Sequence, residues 1–439
     1  MIDQLTAKIR NKTAHISVIG LGYVGLPVAS MMAKSGFRVT GIDIDAERIA
    51  TINRGESPIG GEEPGIAALI AEVVTGGRLR ASTDYDELRA ADVVIICVDT
   101  PVDDDTHLPS YRALRSVLAR LGGVLATGAL VIVESTIAPG TMHGIVIPGL
   151  EASSGKRAGV DFYVGHCPER VTPGLLLHNL THMNRTVGGL TPEIAQAMVS
   201  LYANYVTGDL DPADVLTAEI VKTAENAYRD VQIAFANEVA LICEALGANV
   251  YNVRTLLNKS PGRAMLMPGA GVGGHCIPKD PWLLIANVRD SVQPQLIPSA
   301  RAVNSRMPSH MVDLVEAALG RQGIALENAK IAVLGYAFRE DTDDDRDSPT
   351  TYMVEELERR GAKPAIQDPY VSEHKQSVEA VTQDAHALII MVAHSVYKQI
   401  DLQAVAARMS ARILVDGRNV IDRATAENCG FTYVGVGNL

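Results

Sequence analysis

Cysteine is scarce in this chain: five residues in 439, at positions 97, 167, 243, 276 and 429. The count is odd and no pair has the spacing of zinc ligands. A disulfide framework and a cysteine-built metal site are therefore not expected, and nothing else in the sequence calls for a metal. Long apolar runs are also missing. No stretch approaches the roughly 20 residues needed to cross a bilayer, so no membrane partner is expected. The first residues, MIDQLTAKIRNKTAHISVIG, carry mixed charge and no long apolar block, which leaves no signal peptide to recognise. Positive charge is in deficit, with 39 Lys and Arg against 51 Asp and Glu. A net charge of −12 argues against nucleic acid as the main partner. It leaves room for an anionic substrate, because a local group of Arg and Lys can bind phosphate. Tandem repeats and low-complexity tracts are absent. These absences point to a cytoplasmic protein in a reducing compartment, with at most one thiol engaged in chemistry.

What is present is globular. Hydrophobic residues make up 47% and charged residues 21%, and the length suggests two or three domains. Short β-branched runs alternate with helical stretches in the first third. HISVIG (15–20), RVTGID (38–43), ADVVIICV (91–98) and ALVIVES (129–135) read as buried strands, and residues 23–37 as the first crossover helix. Such alternation means βαβ units and a parallel sheet. From about 212 to 247 the period becomes helical. Asp211 or Asp214 is placed to cap this helix and Gly247 to stop it. At 1.5 Å per residue it would run about 50 Å, too long for one small domain. We read it as a connector. Strand candidates then return at 330–338, 362–368, 387–394 and 412–419, forming a second α/β domain.

Gly20-Leu21-Gly22-Tyr23-Val24-Gly25 follows the first strand and opens the first helix. Gly20 permits a tight turn, and Gly22 lets the backbone approach a pyrophosphate. Tyr23 and Val24 complete the turn as cofactor contacts. The helix start offers N–H groups to the phosphates. Asp43 ends the second strand, where a carboxylate would hold a ribose 2′-hydroxyl and repel a 2′-phosphate. NAD, rather than NADP, is the expected cofactor. Arg48 lies just beyond and could flank the adenosine, or be a plain surface arginine.

PGAGVGGHCIPKDPW (268–282) sets Cys276 on a glycine-rich loop beside His275 and Lys279, whose charges favour thiolate, with Asp280 four residues on. Most cysteines are small buried apolar residues, and Cys97 and Cys243 fit that description. For Cys276 a catalytic and a structural reading stand open. Lys222 and Asn226 share one helix face and suit an oxyanion, with Arg229 on the same side; a solvated helix face is the plainer alternative. Glu169 and Arg170 sit between prolines in CPERVTPG (167–174), and Glu134-Ser135-Thr136 closes a strand. Either could be ordinary loop chemistry.

Taken together, GLGYVGLP (20–27), VDTP (98–101), ESTIAPGT (134–141), CPER (167–170), KTAEN (222–226), GVGGHCIPKDPW (271–282) and GYAFREDTDDDRDSP (335–349) resemble the UDP-glucose/GDP-mannose dehydrogenase family, in family order across nearly the whole chain. The resemblance implies an α/β protein with two Rossmann-like doubly wound domains joined by a long central helix. Its parts are an NAD-binding domain over 1–210, a central helical dimerisation region over 211–305 that carries the Cys276 loop, and a UDP-sugar-binding domain over 306–439. It implies a four-electron oxidation of a C6 alcohol with two NAD, and a homodimer or higher homo-oligomer.

Carried over residue by residue, Cys276 is the nucleophile and Lys222 and Asn226 the oxyanion pair. Asp280 and Thr136 position water, and Glu169 is the acid/base. Thr100, Thr136, Lys279 and Arg346 join the cofactor contacts. Glu169, Arg170, Val171, Lys222, Asn226, Arg229, Arg263, Gly273, Phe338, Arg339 and Arg418 form the substrate set, with Arg263 reaching towards a partner subunit. Pro173 occupies the place of a second family glutamate, and Arg339 stands where lysine is common. CPERVTPG with GVGGHCIPKDPW resembles the branch acting on UDP-N-acetylhexosamines. Residues 175–180 and Pro281-Trp282 favour the mannosamine epimer over UDP-N-acetylglucosamine; UDP-glucose is a further alternative. Outside the family, two readings compete: a two-electron dehydrogenase of the 3-hydroxyacid type, and an NAD-binding redox sensor that uses Cys276 as a switch.

Overall fold

The computed structural model describes residues 2–60 and 63–438. The chain divides into two compact units. One comprises Met1–Glu225 with Trp282–Gln293, the other Asn226–Pro281 with Pro294–Leu439.

The first unit is built on an eight-stranded sheet. Its strands are β1 (His15–Ile19), β2 (Arg38–Ile42), β3 (Leu79–Ser82), β4 (Val93–Ile96), β5 (Leu130–Val133), β6 (Tyr163–His166), β7 (Arg185–Gly189) and β8 (Leu210–Asp214). Their order is β3-β2-β1-β4-β5-β6-β7-β8. The first six run parallel, in the doubly wound order that places a ligand crevice beyond β1 and β4. β7 is antiparallel to β6 and parallel to β8. The central strands bury both faces: Val93 and Ile95 join one core, Val94 and Ile96 the other. That two-sided burial is why they read as unbroken apolar runs rather than alternating ones.

The second unit holds a parallel sheet of β9 (Lys330–Leu334), β10 (Lys363–Gln367), β11 (Ala387–Ile390), β12 (Ile413–Asp416) and β13 (Thr432–Gly435), ordered β10-β9-β11-β12-β13. It repeats the first unit's opening turn bond for bond. Gly20 (φ +90°) donates its N–H to Ile42 at 2.8 Å, and Leu21 N–H reaches Asp43 at 2.7 Å. Gly335 (φ +93°) likewise donates to Gln367 at 2.8 Å, and Tyr336 N–H reaches Asp368 at 2.6 Å. The repeat is invisible in the residue letters because backbone atoms carry most of it. Burial pushes the Asp368 carboxyl up, but His394 Nε2–H at 3.0 Å and four backbone N–H groups outweigh this and hold it well below the usual range.

A single helix, Val215–Leu246, supplies the last turns of the first unit and the first of the second. Asp214 caps it, accepting the Thr217 N–H at 2.9 Å and hydroxyl at 2.6 Å, and Gly247 (φ +70°) ends it. It starts three residues later than the helical period suggests, because Leu210–Asp214 is drawn into the sheet beside β7.

Candidate active site

In the first unit the glycine turn is dictated by contact. A Cβ on Gly20 would lie 2.3 Å from the Cys97 carbonyl oxygen, and one on Gly25 would lie 1.9 Å from that of Gly20. Gly22 differs: nothing stands within 4 Å of its missing Cβ. The turn therefore packs tightly below and leaves open space above, at the start of the helix Gly25–Lys34, which no side chain caps. That cradle and its uncapped helix fit a dinucleotide pyrophosphate. Asp43 is buried and also accepts from Arg48 at 3.1 Å, so the two candidates are paired with each other. The Tyr23 hydroxyl bonds Glu63, which also takes the Gly174 N–H at 2.8 Å and ties the glycine turn to the loop after Glu169.

The loop carrying Thr136 is fixed from several sides. Thr100 donates to the Thr136 carbonyl and Ser135 to that of Val98, each at 2.6 Å. The Tyr111 hydroxyl accepts the Ala138 N–H at 2.8 Å. Glu219, fully buried on the long helix, accepts the Gly140 N–H at 2.8 Å and the Met142 N–H at 2.7 Å. Burial drives its carboxyl up to about 7, against the pull of those backbone N–H groups.

Glu169 turns back onto the Val171 N–H. Arg170 makes a forked pair with Glu225 at 2.8 and 2.7 Å and bonds the Asn184 carbonyl, so its guanidinium already has protein partners. Lys222 is 7% exposed, which removes the solvated-face alternative for that residue. Glu134 and Arg185 form a buried pair at 3.0 Å beneath Cys97.

In the second unit, Asn226 and Cys276 are joined through Asp280. The buried Asp280 carboxylate accepts from Asn226 Nδ2 at 2.6 Å and from Lys279 Nζ at 2.8 Å, while its own N–H bonds the Cys276 carbonyl at 2.9 Å. Cys276 is exposed. Cys97, Cys167 and Cys243 are instead held protonated by burial, Cys167 up to about 11. Gly273 and Gly274 pack so closely on Phe338 that a Cβ would fall 2.8 and 2.7 Å from its side chain. Arg418 reaches from the Met391 carbonyl (2.9 Å) to that of Gly271 (3.1 Å), bracing the loop from below. Arg339 is half-buried, and Arg346 pairs with Asp344 at 2.6 Å. Arg229 and Arg263 are exposed, and Arg263 lines a groove with Tyr228, Phe235 and Leu257.

Several residues here escape a reading of the sequence: Glu219, Glu225, Tyr111, His166, and the stack of His107 on Trp282 with ring centroids 4.0 Å apart. Glu219 had a usable signal, a carboxylate one turn from Lys222 on the apolar face. The others bond to groups far off in sequence.

Three family models match the chain in succession. They are the NAD binding domain of the UDP-glucose/GDP-mannose dehydrogenase family over residues 14–206, its central domain over 216–306 and its UDP binding domain over 332–423. The chain belongs to the UDP-glucose/GDP-mannose dehydrogenase family. Its cofactor is NAD. A Pyrococcus horikoshii relative, UDP-N-acetyl-D-mannosamine dehydrogenase, is 41% identical over 425 residues, covering 96% of this chain and 99% of its own. The solved structure of UDP-D-ManNAc dehydrogenase from that organism superposes with a TM-score of 0.91 at 40% identity, covering 97% of this chain and 99% of its own. The NDP-N-acetyl-D-galactosaminuronic acid dehydrogenase of Methanosarcina mazei gives 0.88 at 36% identity, with 98% and 97% covered. Among the described residues of this family member, no helix is long and apolar enough to cross a membrane, and no group of three or more His, Cys, Asp or Glu could hold a metal ion.

Proposed function

We propose that the protein oxidises the C6 hydroxyl of UDP-N-acetyl-D-mannosamine to the carboxylate through a covalent adduct on Cys276, in the cytoplasm and for polysaccharide synthesis. The carrying observation is the hydrogen-bond chain from Asn226 through Asp280 to the backbone of Cys276, beside an exposed thiol. The printed activity of relatives at full-length similarity supports the choice of sugar.

NAD, when bound, takes up one hydride in each of the two oxidations. The chain's own residues do the rest. Cys276 Sγ attacks C6 of the aldehyde, a C–S bond forms, and the carbonyl electron pair moves onto oxygen. Lys222 supplies charge and Asn226 an N–H to that oxyanion. Once C6 has become a thioester, water attacks it and the C–S bond breaks with its electron pair returning to sulfur. Thr136 and Asp280 position that water; a carboxylate keeps lone pairs beyond those given to Asn226 and Lys279. Glu169 takes the proton. Overall, one alcohol, two NAD and one water give one carboxylate, two NADH and three protons. Gly20, Gly22, Tyr23, Val24, Gly25, Asp43, Arg48, Thr100, Lys279 and Arg346 hold the cofactor, and the arginines at 170, 229, 263, 339 and 418 the substrate. The working form is a homodimer or higher homo-oligomer that pairs through the long helix.

The test is NADH release against a panel of UDP-sugars. Two NADH per UDP-N-acetyl-D-mannosamine are expected, with Cys276→Ser forming no net acid. One NADH per sugar, or acid formation by Cys276→Ser at the normal rate, rules out the covalent scheme. Preference for the glucosamine epimer or UDP-glucose rules out the substrate.

A further inference from the structure

His166 ends β6 and is fully buried. Its Nδ1 lies 2.8 Å from the Val133 carbonyl, which can only accept, so Nδ1 carries the proton and Nε2 presents a lone pair. That Nε2 is shielded from solvent and has no hydrogen-bond partner, a state that folded proteins rarely tolerate without cause. Burial first, and then the positive charge of Lys222, push the ring down to about 4, so it is neutral.

Strand register tells which way the side chain faces. His166 pairs with Gly188 across the β6–β7 ladder, and directly opposed residues share a face of the sheet. A Cβ on Gly188 would stand 2.7 Å from the Cβ of Ala218, so the first turns of the long helix cover that face. The neighbouring Gly165 faces the other way, with Met198 2.1 Å from its missing Cβ. Lys222 lies one turn beyond Ala218 on the same side of the helix. Half-buried Lys279 and buried Arg301 are paired with Asp280 and Asp230; buried Lys222 has no carboxylate partner among the described residues.

A cation without a counter-charge and an acceptor without a donor thus lie on one face of one sheet. We propose that His166 Nε2 accepts a hydrogen bond from one water that the Lys222 ammonium donates to, and so aims that charge at the substrate oxyanion. The inference rests on the proposed role of Lys222. A neutral imidazole suits this task better than a carboxylate. It orients the ammonium without cancelling its charge, which stays available for the oxyanion. His166 acts through Lys222 rather than on substrate and is a positioning residue.

Two substitutions separate this role from a structural one. His166→Asn sets its amide where Nδ1 was, keeping the bond to Val133 and losing the acceptor. His166→Gln sets its oxygen where Nε2 was, keeping the acceptor. We expect His166→Asn to lower kcat roughly 10- to 100-fold, less than deleting an oxyanion donor outright, with KM for NAD unchanged, and His166→Gln to stay near wild type. A purely structural histidine predicts the reverse order. Normal kcat in His166→Asn, or equal loss in both, overturns the proposal. If His166→Asn does not fold, His166→Gln alone decides: wild-type kcat supports the proposal and a large loss overturns it. Should the wild type turn over no UDP-sugar, the function reading fails, yet His166 is still tested by 15N NMR of protein labelled at the histidine rings. The His166 Nε2 resonance, assigned with His166→Gln, should move towards the position of an acceptor without a donor in Lys222→Met; an unchanged resonance overturns the proposal.

Discussion

Glu219 places a carboxylate out of reach of solvent and gives it only backbone N–H groups for company. Burial raises it from 4.5 to about 7, so the folded state disfavours its ionised form. The sign follows: whatever stability the neutral group contributes is fully present below the unfolded value and is lost as pH rises through the folded one. At about 1.4 kcal/mol per pH unit, the loss is on the order of 3 kcal/mol across this window. Glu219→Gln cannot ionise. We expect the stability of the wild type relative to Glu219→Gln to fall between about pH 4.5 and 7, read by urea denaturation of both proteins at several pH values. Curves that run parallel across that range would show that the carboxyl does not titrate where the geometry puts it. Glu219 and His166 share a reason for being hard to read in a sequence. Each bonds to backbone supplied by a distant loop or strand, and backbone leaves no letter. The loop that carries Cys276 was legible because it needs glycine for close approach to Phe338 and proline for stiffness, and those needs are written in side chains.

Strands show the same division. The central ones, buried on both faces, were legible as β-branched runs. β3 and β8 lie at the sheet edges with exposed positions, so no continuous apolar run marks them. β6 and β7 carry Gly165, Gly188 and Gly189 where helices press against the sheet; a Cβ on Gly189 would lie 2.3 Å from the Ala195 nitrogen. Close packing there replaced the residues that announce a strand. The long helix was legible almost to its ends, and its exposed side carries a message of its own. Tyr228, Phe235 and Ile242 are solvent-exposed and fall seven residues apart, a stripe of the kind that seals against another helix. If this stripe forms the proposed homodimer, a charge at its middle will part the protomers. Phe235→Arg is expected to halve the mass measured by light scattering at micromolar concentration, with the far-ultraviolet spectrum unchanged. A monomeric wild type, or a variant of undiminished mass, would remove the helix from the interface.

The two compact units carry different family domains: the NAD binding model lies wholly in the first, the UDP binding model wholly in the second. Each has its own sheet and its own buried cores on either face of it. Multi-domain chains of this kind need not unfold in one step. A ligand that binds one folded unit stabilises that unit alone, by about 2.7 kcal/mol at one hundred times its dissociation constant. Calorimetry with single ligands therefore reads the division of labour without any turnover. We expect two transitions, NAD raising one and UDP the other, with the shifts adding when both are present. Asp43→Ala should abolish the NAD shift and leave the UDP shift intact, because the buried carboxylate that braces the glycine turn belongs to the first unit only. If both ligands move a single transition together, the units fold as one, and the opening turn shared by β1 and β9 is a resemblance of backbone without independence of stability.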